Sequence, residues 1–228
     1  MYKQVCTTIA ALCLCSTSLQ AENVQFLSDY SKLTDAGATG FTRIYIAPGA
    51  PDAMGKLANV MVDQPEFFID PDSKYKGVKP SDAVSVGEAL RAAMIRGIGS
   101  SIEVSDEATE GTGLLSWAVT NLRLNKKKRG VLGYTPVGAA AYGVKKQMSD
   151  VVDKTRAFDV TFEVEGSVAE TGEVLFAMVF DMTEAGEEAK WEDGLLLAEG
   201  IGKRIGCRIN NTRLAVGDRV DCTAIPIK

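Results

Sequence analysis

The spacing of hydrophobic positions changes several times along the chain, and each change marks an element. Short apolar runs at residues 43–47, 58–62 and 67–69 are punctuated by Pro48, Pro51, Pro65, Pro71 and Pro80. Proline lacks a backbone donor and disfavours helix interiors, so this part reads as strands and loops rather than helix. From Ser81 the period becomes helical. Val86, Leu90, Met94, Ile98 and Ile102 recur every fourth residue, one stripe of an amphipathic helix with Ser81 as its N-cap. Residues 113–125, GLLSWAVTNLRLN, are rich in strand formers and read as a strand buried on both faces at its start. Residues 126–129 read as a basic turn, and the Ala-rich stretch 136–150 as a short helix.

Residues 157–165 alternate strictly. Phe158, Val160, Phe162 and Val164 fall on one face, and Asp159, Thr161, Glu163 and Glu165 on the other, the pattern of a half-solvated strand. Glu170-Thr171-Gly172-Glu173 supplies a turn, and residues 174–180 return to complete a hairpin. Over 191–210 the period is helical again. Leu197, Ile201, Ile205 and Ile209 form an apolar stripe, with Gly194, Ala198, Gly202 and Gly206 one position over. Glycine inside a helix costs about 1 kcal/mol against Ala, so this helix needs close backbone approach to a neighbouring strand or helix. No period of the length expected for a solenoid is present. The order of elements predicts an α/β fold of the α+β sandwich kind, one mixed and largely antiparallel sheet packed with about three helices.

The N-terminus carries an address. Lys3 precedes an apolar stretch at 5–15, VCTTIAALCLC, and a polar segment follows with a cleavage position after Ala21, so residues 1–21 read as a secretory signal peptide. Residues 22–42 then form an N-terminal arm and 43–228 a single domain. In the arm, Phe26, Tyr30 and Leu33 of FLSDYSKL share one face of a helical turn. That segment either folds back on its own core or docks on a partner. No later stretch is long and apolar enough to span a membrane: the longest candidate, 131–144, is broken by Pro136 and three glycines.

Of five cysteines, Cys6, Cys13 and Cys15 lie in the leader, leaving Cys207 and Cys222 as a disulfide candidate in an oxidising compartment. A lipoprotein signal wants a small residue before the lipidated cysteine, and Leu12 and Leu14 stand there instead. Soluble export to the periplasm is therefore the reading, with lipid anchoring to the outer membrane through Cys13 or Cys15 as the alternative.

The 228 residues contain no His, which removes Ser-His-Asp and Cys-His nucleophiles, His-ligated zinc and His-held haem. A formal charge of -5 argues against nucleic acid as a partner. One cationic concentration stands out, Lys126, Lys127, Lys128 and Arg129. It reads as a solvated loop or as a contact for an anionic envelope surface or an acidic partner. Gly200-x-Gly202-x-x-x-Gly206 lacks dinucleotide spacing and sits in a helical stripe, so it reads as helix packing. Asp70-Pro71-Asp72 offers two carboxylates, but Lys74 stands where a calcium loop wants its third oxygen, and a turn is the better reading.

Several stretches in order resemble a bacterial envelope group, the domain-of-unknown-function family 3313: FLSDYSKL at 26–33, ANVMVDQPEFF at 58–68, TGLLSWAVTNL at 112–122 and FEVEGSVAETGEVL at 162–175. Its members are mostly described as lipoproteins. The resemblance implies an exported protein of the Gram-negative envelope, and the family offers no catalytic residues to carry over. The functional expectation is a non-catalytic envelope protein that works by contact with another envelope component, with no cofactor and no metal. A small-ligand carrier, its pocket between the sheet and the Gly-bearing helix, is the alternative. A carboxylate-only enzyme built on Asp70 with a glutamate is a third reading.

Overall fold

The computed structural model describes residues 26–37, 41–74, 80–126, 155–182, 188–189 and 191–227. Among the described residues nine strands join in one sheet: β1 (Thr34–Asp35), β2 (Arg43–Ile46), β3 (Asn59–Val62), β4 (Glu66–Ile69), β5 (Thr112–Lys126), β6 (Thr155–Phe158), β7 (Thr161–Val168), β8 (Val174–Asp181) and β9 (Glu188–Ala189). Three α-helices lie among the described residues: α1 (Ala50–Lys56), α2 (Pro80–Gly99) and α3 (Trp191–Arg213). The strand order β1-β2-β8-β7-β5-β6-β9 is antiparallel at every step. On its other side β5 takes β3 and β4 in parallel. This is the mixed, largely antiparallel α+β architecture that the order of apolar patterns predicts.

Helix α1 corrects the reading of residues 43–71 as strands and loops. Pro51 stands in the first turn of α1, behind Gly49 with φ 80. The first turn of a helix has no use for an amide donor, so a proline there starts a helix instead of breaking one. Helix α2 likewise begins on Pro80, so Ser81 is not its N-cap; the Ser81 carbonyl accepts from Ser85 Oγ at 3.1 Å. The helix ends at Gly99, and Ile102 stays buried beyond it.

The alternating run 157–165 is two strands, not one. Asp159 takes the left-handed conformation (φ 54), and Asn121 on the facing strand does the same (φ 53). Asn and Asp adopt that region more easily than other non-glycine residues. The paired bends let β6 pair with Arg123–Lys126 and β7 with Gly113–Thr120. Arg123 clasps the bend, donating from Nε to Asp70 Oδ2 at 2.9 Å and from Nη1 to Asp159 Oδ2 at 3.2 Å.

One sheet face packs on the helices. Leu115, Trp117, Val119, Phe162, Val164, Phe176 and Met178 meet Leu90, Met94, Ile98, Leu197, Ile201 and Ile205 in a single core. Trp117 and Phe162 stack with centroids 6.2 Å apart, and the indole N–H donates to the Asp63 carbonyl at 2.9 Å. The helices themselves touch through glycine. A Cβ on Gly202 would lie 2.5 Å from the Met94 carbonyl oxygen, and one on Gly206 2.9 Å from that of Ile98. The small-residue stripe is therefore a helix–helix seam. The Ala-rich stretch 136–150 lies outside the described residues.

Candidate functional site

The opposite sheet face is where the arm goes. Along β8 the side chains alternate: Phe176 and Met178 join the helix-side core, while Ala177 and Val179 form a separate small cluster with Leu27. Phe26, Tyr30, Leu33 and Tyr45 pack around that cluster. Of the two readings of FLSDYSKL, the structure takes the fold-back. The arm turns once at Tyr30–Lys32, where Asp29 accepts from the Ser31 amide at 2.9 Å and its hydroxyl at 2.6 Å. Those bonds hold the Asp29 carboxyl below the usual carboxylate range. Leu27, not Phe26 or Tyr30, is the buried anchor.

Two carboxylates of β7 fasten the arm. Glu165 Oε2 accepts from the Ser28 amide at 3.0 Å and from Ser28 Oγ at 2.6 Å. Glu163, only 6% exposed, accepts from the Tyr30 hydroxyl on one oxygen and from Thr120 Oγ1 at 2.8 Å on the other. The Glu163 and Glu165 part of the polar face is thus covered by the arm, while Thr161 is buried against Asn121 and Asp181 and Asp159 is bound by Arg123, which corrects the half-solvated reading. Glu163 and Glu165 escaped the sequence reading as arm-holding groups. Their signal was a face with two acids opposite a segment rich in hydroxyls and aromatics.

Burial, and then the bond to the Glu163 carboxylate, pushes the Tyr30 phenol up to about 12. An unfolded tyrosine ionises near 10. The folded chain holds its proton longer, so this contribution to stability is complete below pH ~10 and is lost as pH rises from ~10 to ~12. We expect wild-type stability to fall more steeply across that window than that of Tyr30→Phe. Denaturant midpoints at several alkaline pH values check this, and parallel curves would refute it.

The structure joins Cys207 to Cys222 in a disulfide, with a Cα–Cα separation of 5.8 Å. The tail then runs antiparallel along α3. Asn211 exchanges bonds with the Val220 backbone at 2.7 and 3.1 Å, and Arg204 donates to the carbonyls of Ile225 at 2.7 Å and Thr223 at 2.9 Å. Gly200 meets Ile227 beyond them. Asp70 is engaged in its turn, accepting from the Asp72 amide at 2.7 Å as well as from Arg123. The stripe proposed to wall a ligand pocket is occupied by α2, which removes the basis for a carrier pocket at that place. Lys126 is the last residue of β5, while Lys127, Lys128 and Arg129 lie outside the described residues. Among the described residues no cluster of acidic or cysteine side chains is suited to a metal, and no helix is long and apolar enough to cross a membrane.

A family model described as "Protein of unknown function (DUF3313)" matches residues 22–190, from the arm through β9. No curated protein matches the chain. Among solved structures, the chain is similar to the PelC dodecamer from Paraburkholderia phytofirmans at 13% identity and a TM-score of 0.36, over 65% of this chain and 88% of that one. A variant of that dodecamer matches at 15% identity and a TM-score of 0.33, over 74% of this chain and 95% of that one.

Proposed function

We propose, from the premise that this chain belongs to the DUF3313 family of proteins of unknown function, that it is an exported cell-envelope protein, non-catalytic, acting by contact with another envelope component. The observation that carries the export half is the Cys207–Cys222 disulfide. Such bonds persist in the periplasm and are rare in the reducing cytosol. The leader-like pattern of residues 1–21 supports the same compartment. For the contact half, the support is the filled interior: where the sheet meets α2 and α3, side chains and a glycine seam occupy the space a carried ligand would need.

The periplasm is the proposed location, with cleavage after Ala21 and no lipid on Cys13 or Cys15. Fractionation of cells with intact-mass measurement tests this. The expected species begins at Glu22, releases with the periplasmic contents and titrates no free thiol without reductant. A diacyl or triacyl adduct on Cys13 or Cys15 would replace soluble export by membrane anchoring. A cytoplasmic, fully reduced chain would overturn the reading.

A further inference from the structure

Residues 26–33 hold to the sheet in an unusual way. Among the described residues, no backbone–backbone hydrogen bond joins this segment to β2, β7 or β8. Its attachment is made by side chains: one fully buried, Leu27, with Phe26, Tyr30 and Leu33 half-buried around it, a ring contact between Phe26 and Phe68 with centroids 6.5 Å apart, Lys32 over the Tyr45 ring, and bonds to two carboxylates. A segment with few buried apolar groups and no ladder opens at a far smaller free energy than the strands beneath it. Those strands keep their own pairing on both sides when it leaves, since β7 lies between β5 and β8, and β8 between β7 and β2.

The face it covers is built to receive a chain segment. Its floor is small and apolar: Leu27 packs on Ala177 and Val179, and the buried Ala118 lies opposite Glu163 in the β5–β7 register. Beside it stand Glu163 and Glu165, which take donors. The resident segment shows the complement: an aliphatic residue, then an amide and hydroxyl, then a phenol two residues on. Two acids on one face repel anionic lipid, so the basic-run reading of an anionic surface does not fit here.

We infer that this sheet face is the protein's contact surface and that residues 26–33 are its resident occupant, displaced by a partner's polypeptide segment presenting one aliphatic anchor and nearby hydroxyl, amide or cationic donors to Glu163 and Glu165. The inference rests on the contact reading above and names the surface for it. The partner segment competes with an occupant that is tethered and therefore at high effective concentration, so weakening the occupant exposes the site.

The test uses the full mature chain and a labelled synthetic peptide of residues 24–35 as the probe. Leu27→Ala in the protein removes the resident anchor. Hydrogen exchange should then show residues 26–33 exchanging while β7 and β8 stay protected, and anisotropy should show saturable peptide binding at least about tenfold tighter than to wild type. A peptide carrying Tyr30→Phe or Leu27→Ala should bind more weakly, and Glu163→Gln in the Leu27→Ala chain should weaken the wild-type peptide. Tyr30→Phe in the protein is the second, milder opening variant, since it keeps the ring. An open segment with no peptide binding, or equal binding of all three peptides, overturns the inference. So does an arm that stays closed in both variants. A cytoplasmic location in fractionation would defeat the envelope reading and leave this result untouched.

Discussion

Replacing Cys222 by Ala is expected to destabilise the protein by about 3 kcal/mol, the loss anticipated for a cross-link closing a loop of this size. The bridge spans a sequence separation of 15. For a chain of this length each kcal/mol moves the melting temperature by roughly 2–4 °C, so the midpoint should fall by about 6–12 °C. Reductant should bring the wild type down to the variant's value, and the two curves should then coincide. The tail has reasons to remain in place partly without its bridge: the Arg204 and Asn211 bonds and the burial of Ile227 all hold it. Leucine or methionine at Arg204 on top of Cys222→Ala should therefore cost more than the two changes measured separately, because each then removes the other's support. Simple addition of the two would mean that the tail is held at independent points.

Helix α3 was legible because two of its three faces write themselves at helical spacing. Leu197, Ile201, Ile205 and Ile209 face the core; Gly202 and Gly206 face α2. The third face, Gly200, Arg204, Cys207 and Asn211, has the same spacing and binds the tail, but only the cysteine announced it. A glycine, an arginine and an asparagine share no hydrophobic signal, so periodicity passes over them. The β7–β8 hairpin was legible for a similar reason: its alternation and the Gly172 turn agree.

What stayed hidden depended on partners distant in sequence. Helix α1 is too short for a period to show, and its proline sits at the single turn where proline is welcome. The bend at Asp159 needs Asn121 opposite it, a pairing 38 positions away that no local pattern reveals. Glu163 and Glu165 looked solvated because alternation shows which residues share a face, not what covers that face. The arm's donors and β7's acceptors lie more than a hundred residues apart. The candidate site was visible in two halves, and only the fold brings them together.

The glycines of the α2–α3 seam should give opposite results according to position. A Cβ on Gly202 would meet the Met94 carbonyl oxygen at 2.5 Å, and one on Gly97 would press on the Glu199 carbonyl and lie 2.8 Å from the Lys203 nitrogen. The obstacles are backbone atoms, which cannot swing aside as a side-chain end does, so the helices themselves must separate. Gly97→Ala and Gly202→Ala are each expected to destabilise by about 2–3 kcal/mol, the upper range for overpacking a tight core. The Arg96–Glu199 ion pair crosses the same seam and Lys203–Glu199 lies along α3, but both are partly exposed and contribute little to offset this. Gly194 lies on the same stripe near the start of α3, and a Cβ there meets nothing within 4 Å among the described residues. Gly194→Ala keeps the helical gain alone and should stabilise by about 0.5 kcal/mol. Denaturant unfolding of the three variants decides the matter. If Gly202→Ala stabilised like Gly194→Ala, the helices would not be in backbone contact, and the glycine stripe would need another explanation.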